Sequence, residues 1–269
     1  MKGLHDIMHL FLTSFLGLYL AHLLTDFVLQ SDRIVTGKKR GAVQAYAQHG
    51  AIHFFSASLF LGFAIPGLAV RLSFYAVILA LTLLHLGIDW LKLRLVHSET
   101  LTDGASIFLA DQSVHALTIF LTAWFIIRPP LFVLLEKFHW ARSTIERPLV
   151  IAVVYVAIIF GGGHVIRFLT KPLTKQDMSI LGETTSEMQN AGMYIGWLER
   201  FVVLTALLLQ SPATVGLILT AKAIARFPEM KSVRFAEYFL IGTLLSMSLG
   251  IIGGLILLKT FYDTVTLSK

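Results

Sequence analysis

The sequence predicts an all-α protein, a polytopic bundle of transmembrane helices, on three observations. Only 14% of its 269 residues are charged and 56% are hydrophobic, with a mean hydropathy of +0.76. Soluble domains carry about 25% charged residues. Apolar stretches of roughly 20 residues, the length that crosses a bilayer, recur along the whole chain. None of them shows the period-two alternation of a membrane β-barrel.

About eight membrane helices follow in order. The first covers residues 8–30; it lacks a small-residue cleavage site and is too long for a signal h-region, so it reads as a retained span. A basic connection, "SDRIVTGKKRG", leads to the second at 43–66, which closes on the turn "IPG". The third, 70–91, runs into Lys92 and Arg94, and the fourth, 105–127, stops at Arg128 and the Pro129–Pro130 pair. Residues 131–148 read as an interfacial amphipathic helix anchored by Lys137, Trp140, Arg142 and Arg147. A fifth span covers 149–170, and 174–192 is the one long polar connection. The sixth covers 194–210, a short seventh 212–226, and the eighth 236–258, whose "LGIIGG" permits close helix packing.

This order divides the chain into a four-helix His/Asp-rich core at 1–128, a region of amphipathic helix and fifth span at 129–173, a polar loop at 174–193, and a three-helix region at 194–269. Lysine and arginine set the orientation. They collect after the first, third, fifth and seventh spans, while the turns at 66–70 and 211 are nearly bare. Both termini then lie outside the cytoplasm; the basic 128–148 connection is the exception.

Composition also excludes functions. With no cysteine there is no disulfide framework and no thiolate metal site. The net charge of +6 is accounted for by the connections, which leaves no case for nucleic acid. The chain carries no P-loop and no nucleophile-elbow serine.

The informative residues are polar ones inside the apolar segments. "AHLLTDFVLQ" places His22, Asp26 and Gln30 four apart, on one helical face. "AQHGAIHFF" places His49 and His53, "LLHLGIDWLK" places His85 and Asp89 one turn before Lys92, and "LADQSVHAL" places Asp111 and His115 around Gln112. Four successive helices thus each carry an i, i+4 pair at a similar depth, near the cytoplasmic face. A single such pair is more often a hydrogen-bonded contact between helices, and Asp89 with Lys92 is a snorkelling pair at the interface on the plainest reading. Four in register are harder to explain that way. Polar groups in lipid are costly, so they face the bundle interior and pair or bind metal. His22, Asp26, His49, His53, His85, Asp89, Asp111 and His115 are therefore the candidate ligands of a divalent metal, zinc first, with iron or manganese as alternatives. Gln30 and Gln112 would support them from behind.

A second polar group follows the long connection. Glu199 and Arg200 lie at the start of the sixth span, and Lys222 and Arg226 share a face of the seventh. Ion pairs of Glu199 with Lys222 or Arg226, and of Glu237 with Arg200, are expected. Arg200, Lys222 and Arg226 could alternatively form a pocket for an anionic head group.

The run "LAHLLTDFVLQSDRI", followed by "LLHLGIDWLK" and "DQSVH", resembles a bacterial inner-membrane family, domain-of-unknown-function family 3307, over about residues 10–125. The C-terminal half looks like the extension of its longer members. The resemblance implies a multi-pass protein of the bacterial inner membrane; it confers no activity. Its pattern falls on His22, Asp26, Gln30, His49, His53, His85, Asp89, Lys92, Asp111, Gln112 and His115.

Three functions compete. In a metal-dependent intramembrane hydrolase, Asp26, Asp89 or Asp111 completes the metal sphere or acts as general base, and Lys92, Gln30 and Gln112 steady the developing oxyanion. Its substrate would be a membrane lipid, a lipid-linked intermediate or a membrane peptide. A proton- or ion-coupled transporter would use the same layer as a relay, but no internal repeat is visible and the layer is off-centre. In a structural or partner-binding protein the buried polar groups would fix helix register. Oligomeric state is not legible.

Overall fold

The structure, a computed structural model, describes residues 2–67, 70–130, 146–175, 186–231 and 233–262. Among them every regular element is helical and there is no strand. The chain divides into two compact units, Met1–Val153 and Val154–Lys269.

The first unit is built from α1 (Lys2–Phe27), α2 (Asp32–Lys39), α3 (Val43–Ala64), α4 (Leu72–His97) and α5 (Ala105–Ile127). Helix α1 packs against α3 and α5, and α4 closes the ring against the same two helices. Leu18, Ala57, Leu61, Ile78, Leu81 and Ile119 form an apolar core between them. On each helix this core lies within a few turns of the polar pair, alternately before and after it in sequence. That alternation is what an antiparallel bundle requires for two stacked layers, one apolar and one polar. α5 stops where Arg128 turns left-handed (φ 52°) and caps Trp124 O ahead of the proline pair.

The basic connection after α1 folds as a short helix, α2, and is not a plain loop. α2 begins with Asp32 in its first turn and ends with Lys38 and Lys39 in its last, the charge placement that complements the helix dipole. It lies on α3 because Gly37 has no side chain: a Cβ there would come within 2.6 Å of Ala45 Cβ. Gly41, at φ +71°, makes the turn into α3.

Helix α6 (Glu146–Val156) leads through a π-helical turn, Ala157–Gly161, into α7 (Gly162–Lys175). The second unit continues with α8 (Ser186–Leu208), α9 (Ala213–Arg226), a 3₁₀ turn (Phe227–Lys231) and α10 (Val233–Phe261). The glycine-rich stretch packs closely, as expected: Gly250, Gly253 and Gly254 of α10 lie against Val203, Leu204 and Leu207 of α8. Of the expected polar loop at 174–193, residues 174–175 fall in α7 and 186–193 in α8, and 176–185 lie outside the described residues. Of the expected amphipathic helix, Lys137, Trp140 and Arg142 lie outside the described residues, and Arg147 falls in α6.

Among the described residues, five stretches are long and apolar enough to cross a membrane: Asp6–Phe27, Leu72–His97, Ala105–Ile127, Glu146–Lys171 and Phe235–Phe261. The other three expected spans correspond to α3, α8 and α9. α3 has a strongly exposed apolar face (Phe55, Leu59, Phe63), but His49 and His53 on its inner face lower its hydropathy. α9 has only 14 residues, about 21 Å of helix against a hydrocarbon core of about 30 Å.

Candidate metal centre

The i, i+4 spacing on α1, α3, α4 and α5 turns all four pairs into the interior of the first unit. His22 and His49 are 0% exposed, His53 and His115 1%, His85 2%, Asp89 3% and Asp111 6%. Asp26 is the most open of the eight, with 11% of its side chain accessible.

Three donor atoms form a tight triangle. Asp26 Oδ1 lies 3.4 Å from His49 Nε2 and 3.4 Å from His85 Nε2, and the two nitrogens are 2.9 Å apart. Asp89 Oδ2 approaches from the fourth side, 3.4 Å from His49 Nε2 and 3.9 Å from His85 Nε2. Four ligands held tetrahedrally at about 2.0–2.2 Å from zinc stand roughly 3.3–3.6 Å from one another. The two carboxylate edges match that spacing, while the 2.9 Å nitrogen–nitrogen edge is hydrogen-bond distance. Asp26, His49 and His85 form one set that could hold a metal ion, His85, Asp89 and His115 a second, and His22, His53 and His85 a third. His85 belongs to all three.

Outer hydrogen bonds orient two more imidazoles. His22 Nε2 meets Gln112 Oε1, an acceptor, at 3.2 Å, so the ring proton is assigned to Nε2 and the lone pair to Nδ1. His115 Nδ1 meets the carbonyl oxygen of Asp111 at 2.9 Å, which assigns its lone pair to Nε2. Both lone-pair nitrogens are buried and have no hydrogen-bond partner; His22 Nδ1 is 3.9 Å from Asp26 Oδ2 and His115 Nε2 is 3.8 Å from Asp89 Oδ1. Metal-ligating histidines are held in this way, by an outer bond that fixes the tautomer. Asp26 Oδ1, a corner of the triangle, is likewise buried and unsatisfied. His53 stands slightly apart: its Nδ1 contacts Thr82 Oγ1 at 3.0 Å and its ring stacks on His85 at 4.4 Å.

Two lysines bound the layer. Lys92 Nζ donates to Asp111 Oδ2 at 2.7 Å and not to Asp89, the partner expected from the sequence; Asp89 is taken by another lysine. Lys38, read from the sequence only as a topogenic charge, reaches in from α2 and donates to Asp89 Oδ2 at 2.6 Å and to Gln30 Oε1 at 2.9 Å. The charge-capped pattern of "DRIVTGKK" was the signal that could have revealed it. Gln30 does not stack above Asp26 on α1, because that helix ends at Phe27 and Leu29 N turns back to Leu24 O. It joins the layer through Lys38 instead. Three carboxylates face two ammoniums, so with neutral imidazoles the buried layer carries one excess negative charge. A low-dielectric interior requires a compensating cation, either a proton or a metal.

The second polar group belongs to the second unit. Glu199 pairs with Lys222 at 2.8 Å, one of the two pairings expected. Arg200 does not turn to Glu237. It is buried, and its Nε and Nη2 donate to Ile159 O in the π-helical turn at 3.1 and 2.6 Å, while Nη1 donates to Ser246 Oγ at 3.3 Å. Gly163 makes the room, since a Cβ there would stand 3.0 Å from Nη2. One further pair escaped the sequence reading: His9 Nδ1 and the fully buried Glu146 Oε1 are 2.6 Å apart.

These features define an all-helical, membrane-compatible protein whose first unit encloses a His/Asp layer able to hold a metal ion. Residues 14–141 match the model of the family described as Protein of unknown function (DUF3307), and this stretch of the chain belongs to that family. It contains all eight candidate ligands. Neither a curated protein nor a solved structure matches the chain.

Proposed function

We propose that the first unit is an intramembrane divalent-metal centre and that the protein is a metal-dependent hydrolase of the bacterial inner membrane. The observation that carries the metal reading is the donor triangle Asp26 Oδ1, His49 Nε2 and His85 Nε2, with edges of 3.4, 3.4 and 2.9 Å. Asp89 forms a neighbouring set with His85 and His115, and His22 Nδ1 and His115 Nε2 present lone pairs without a hydrogen-bond partner. Imidazole and carboxylate donors suit zinc, the ion of this reading, and are also compatible with iron or manganese. Such an ion supplies Lewis acidity to a carbonyl or phosphoryl oxygen and lowers the pKa of water to about 7.

The chain's own groups supply the rest. Asp111, held by Lys92 and by Gln112 Nε2 at 3.3 Å, keeps its Oδ1 buried and without a hydrogen bond, and is the general base of this reading. Lys92 and Lys38 bring positive charge to the rim, where an oxyanion would develop. The substrate would be a lipid, a lipid-linked intermediate or a membrane peptide entering from the cytoplasmic leaflet. In this topology α3, α8 and α9 join the five apolar spans, giving eight membrane helices with both termini outside the cytoplasm. Elemental analysis of the purified full-length protein, with a chelator titration followed by thermal unfolding, tests the metal. Stoichiometric metal and a fall in Tm on chelation support it; a metal-free protein indifferent to chelator refutes it.

A second reading has an observation of its own. His53, His85, His115 and His22 stand ring to ring, with successive centroids 4.4, 4.6 and 4.8 Å apart. Such a chain suits proton relay in a coupled transporter. Proton flux in liposomes that is abolished by Asp26→Asn would put transport ahead of hydrolysis.

A further inference from the structure

We infer that the groove between α2 and the start of α3 is a binding site for the phosphate of an anionic phospholipid head group. A cavity of about 450 Å³ lies there, lined by Arg33 of α2, by Arg40 at its C-cap and by Gln44 and Gln48 of α3. Arg33 and Arg40 are seven residues apart, two helical turns, and Gln44 and Gln48, four apart, share one face of α3. No hydrogen bond or ion pair engages any of these four side chains among the described residues. Two guanidinium groups and two amides thus converge on one cavity with every side-chain donor unused. Asp32 is the only acidic group lining it, so the cavity favours an anion. A planar guanidinium offers the paired donors that phosphate oxygens accept.

The floor of the groove is the Gly37–Ala45 contact, which holds the two walls at close distance. The position argues for a lipid source. α2 directly follows the first apolar span, so the groove sits where head groups lie. Val28, Leu29 and Val43 flank this connection with exposed apolar surface, and Val43 is 82% exposed, ready to meet an acyl chain. The opposite face of α2 carries Ile34 and Lys38 into the bundle. One short helix therefore touches the groove on one side and Asp89 on the other.

The site stands on its polar lining and on the membrane placement of the first unit, and it is independent of the metal reading. Native mass spectrometry of the full-length protein tests it, with dioleoylphosphatidylglycerol, dioleoylphosphatidylcholine and inorganic phosphate as separate probes. Arg33→Gln/Arg40→Gln is compared with Arg71→Gln/Arg128→Gln, which removes the same charge elsewhere. Each arginine near an anionic surface is worth about fivefold in affinity, so the groove variant should lose roughly 25-fold for phosphatidylglycerol. The control variant should bind as the wild type does, and metal content should be the same in all three proteins. Arg33→Lys/Arg40→Lys should recover part of the affinity. Equal binding of the two lipids, or equal losses in the groove and control variants, overturns the site. Phosphate binding at comparable affinity overturns the lipid assignment and makes a free phosphorylated metabolite the ligand.

Discussion

Lys38 Nζ lies 2.6 Å from Asp89 Oδ2, the oxygen that also faces His49 Nε2 at 3.4 Å. A helix of eight residues between two spans thus delivers a buried ammonium to the carboxylate at the centre of the polar layer. The charge of the layer, and with it the affinity for a cation, depends on a connection that a topology diagram would draw as a loop.

Removing that ammonium should be costly. Lys38→Met leaves buried Asp89 without its ammonium partner, and breaking a buried pair costs about 3–5 kcal/mol. Unfolding of the metal-free protein in detergent should show a loss of this order. Lys38→Met/Asp89→Asn should recover much of it, and a double variant as unstable as the sum of the two singles would contradict the pairing.

The path of α2 rests on Gly37. A valine there places carbon where Ala45 Cβ already stands 2.6 Å from the ideal Cβ position, an overpacking worth about 1–3 kcal/mol. Gly37→Val should lower Tm, and Ala45→Gly in the same chain should restore part of the loss. A Gly37→Val protein with unchanged Tm would mean that α2 does not pack as described.

The two α3 histidines should behave differently. His49 is a corner of the donor triangle, whereas His53 is tied to Thr82 and stacked on His85. His49→Ala should abolish metal retention. His53→Ala and Thr82→Val should weaken it by about 10–100-fold, the usual effect of supporting groups. Zinc titration with a competing chelator distinguishes these outcomes, and equal losses for His49→Ala and His53→Ala would shift the site toward the His22, His53 and His85 set.

Much of the polar layer is legible in sequence because two regularities act together. The apolar length of each span sets its depth, and the i, i+4 spacing sets the face, so His22 with Asp26, His49 with His53, His85 with Asp89 and Asp111 with His115 can be aligned before any fold is known. What escapes is whatever depends on where a helix ends. Gln30 continues the spacing of α1, yet a backbone bond from Leu29 to Leu24 ends the helix before it. Lys38 escapes because a short polar helix lacks the long apolar run that marks a span; its charge-capped ends are the one local signal for it. Arg200 was expected to seek a carboxylate; the carbonyl it caps instead lies in a π-helical turn, a local feature with no composition signature.

Relay and catalysis separate at Asp26. If the layer conducts protons, Asp26→Asn should abolish flux in liposomes whatever the metal content. On the hydrolase account neither wild type nor variant shows flux, and the variant loses its metal because a corner of the triangle has lost its charge.

The central claim is that the His/Asp layer holds a metal, and its most direct test is the metal content of the full-length protein, purified without chelator, beside His85→Ala. Because His85 belongs to all three donor sets, the account predicts about one divalent ion per wild-type chain and none in the variant. Metal-free wild-type protein, with a Tm that neither zinc nor chelator moves, would contradict it.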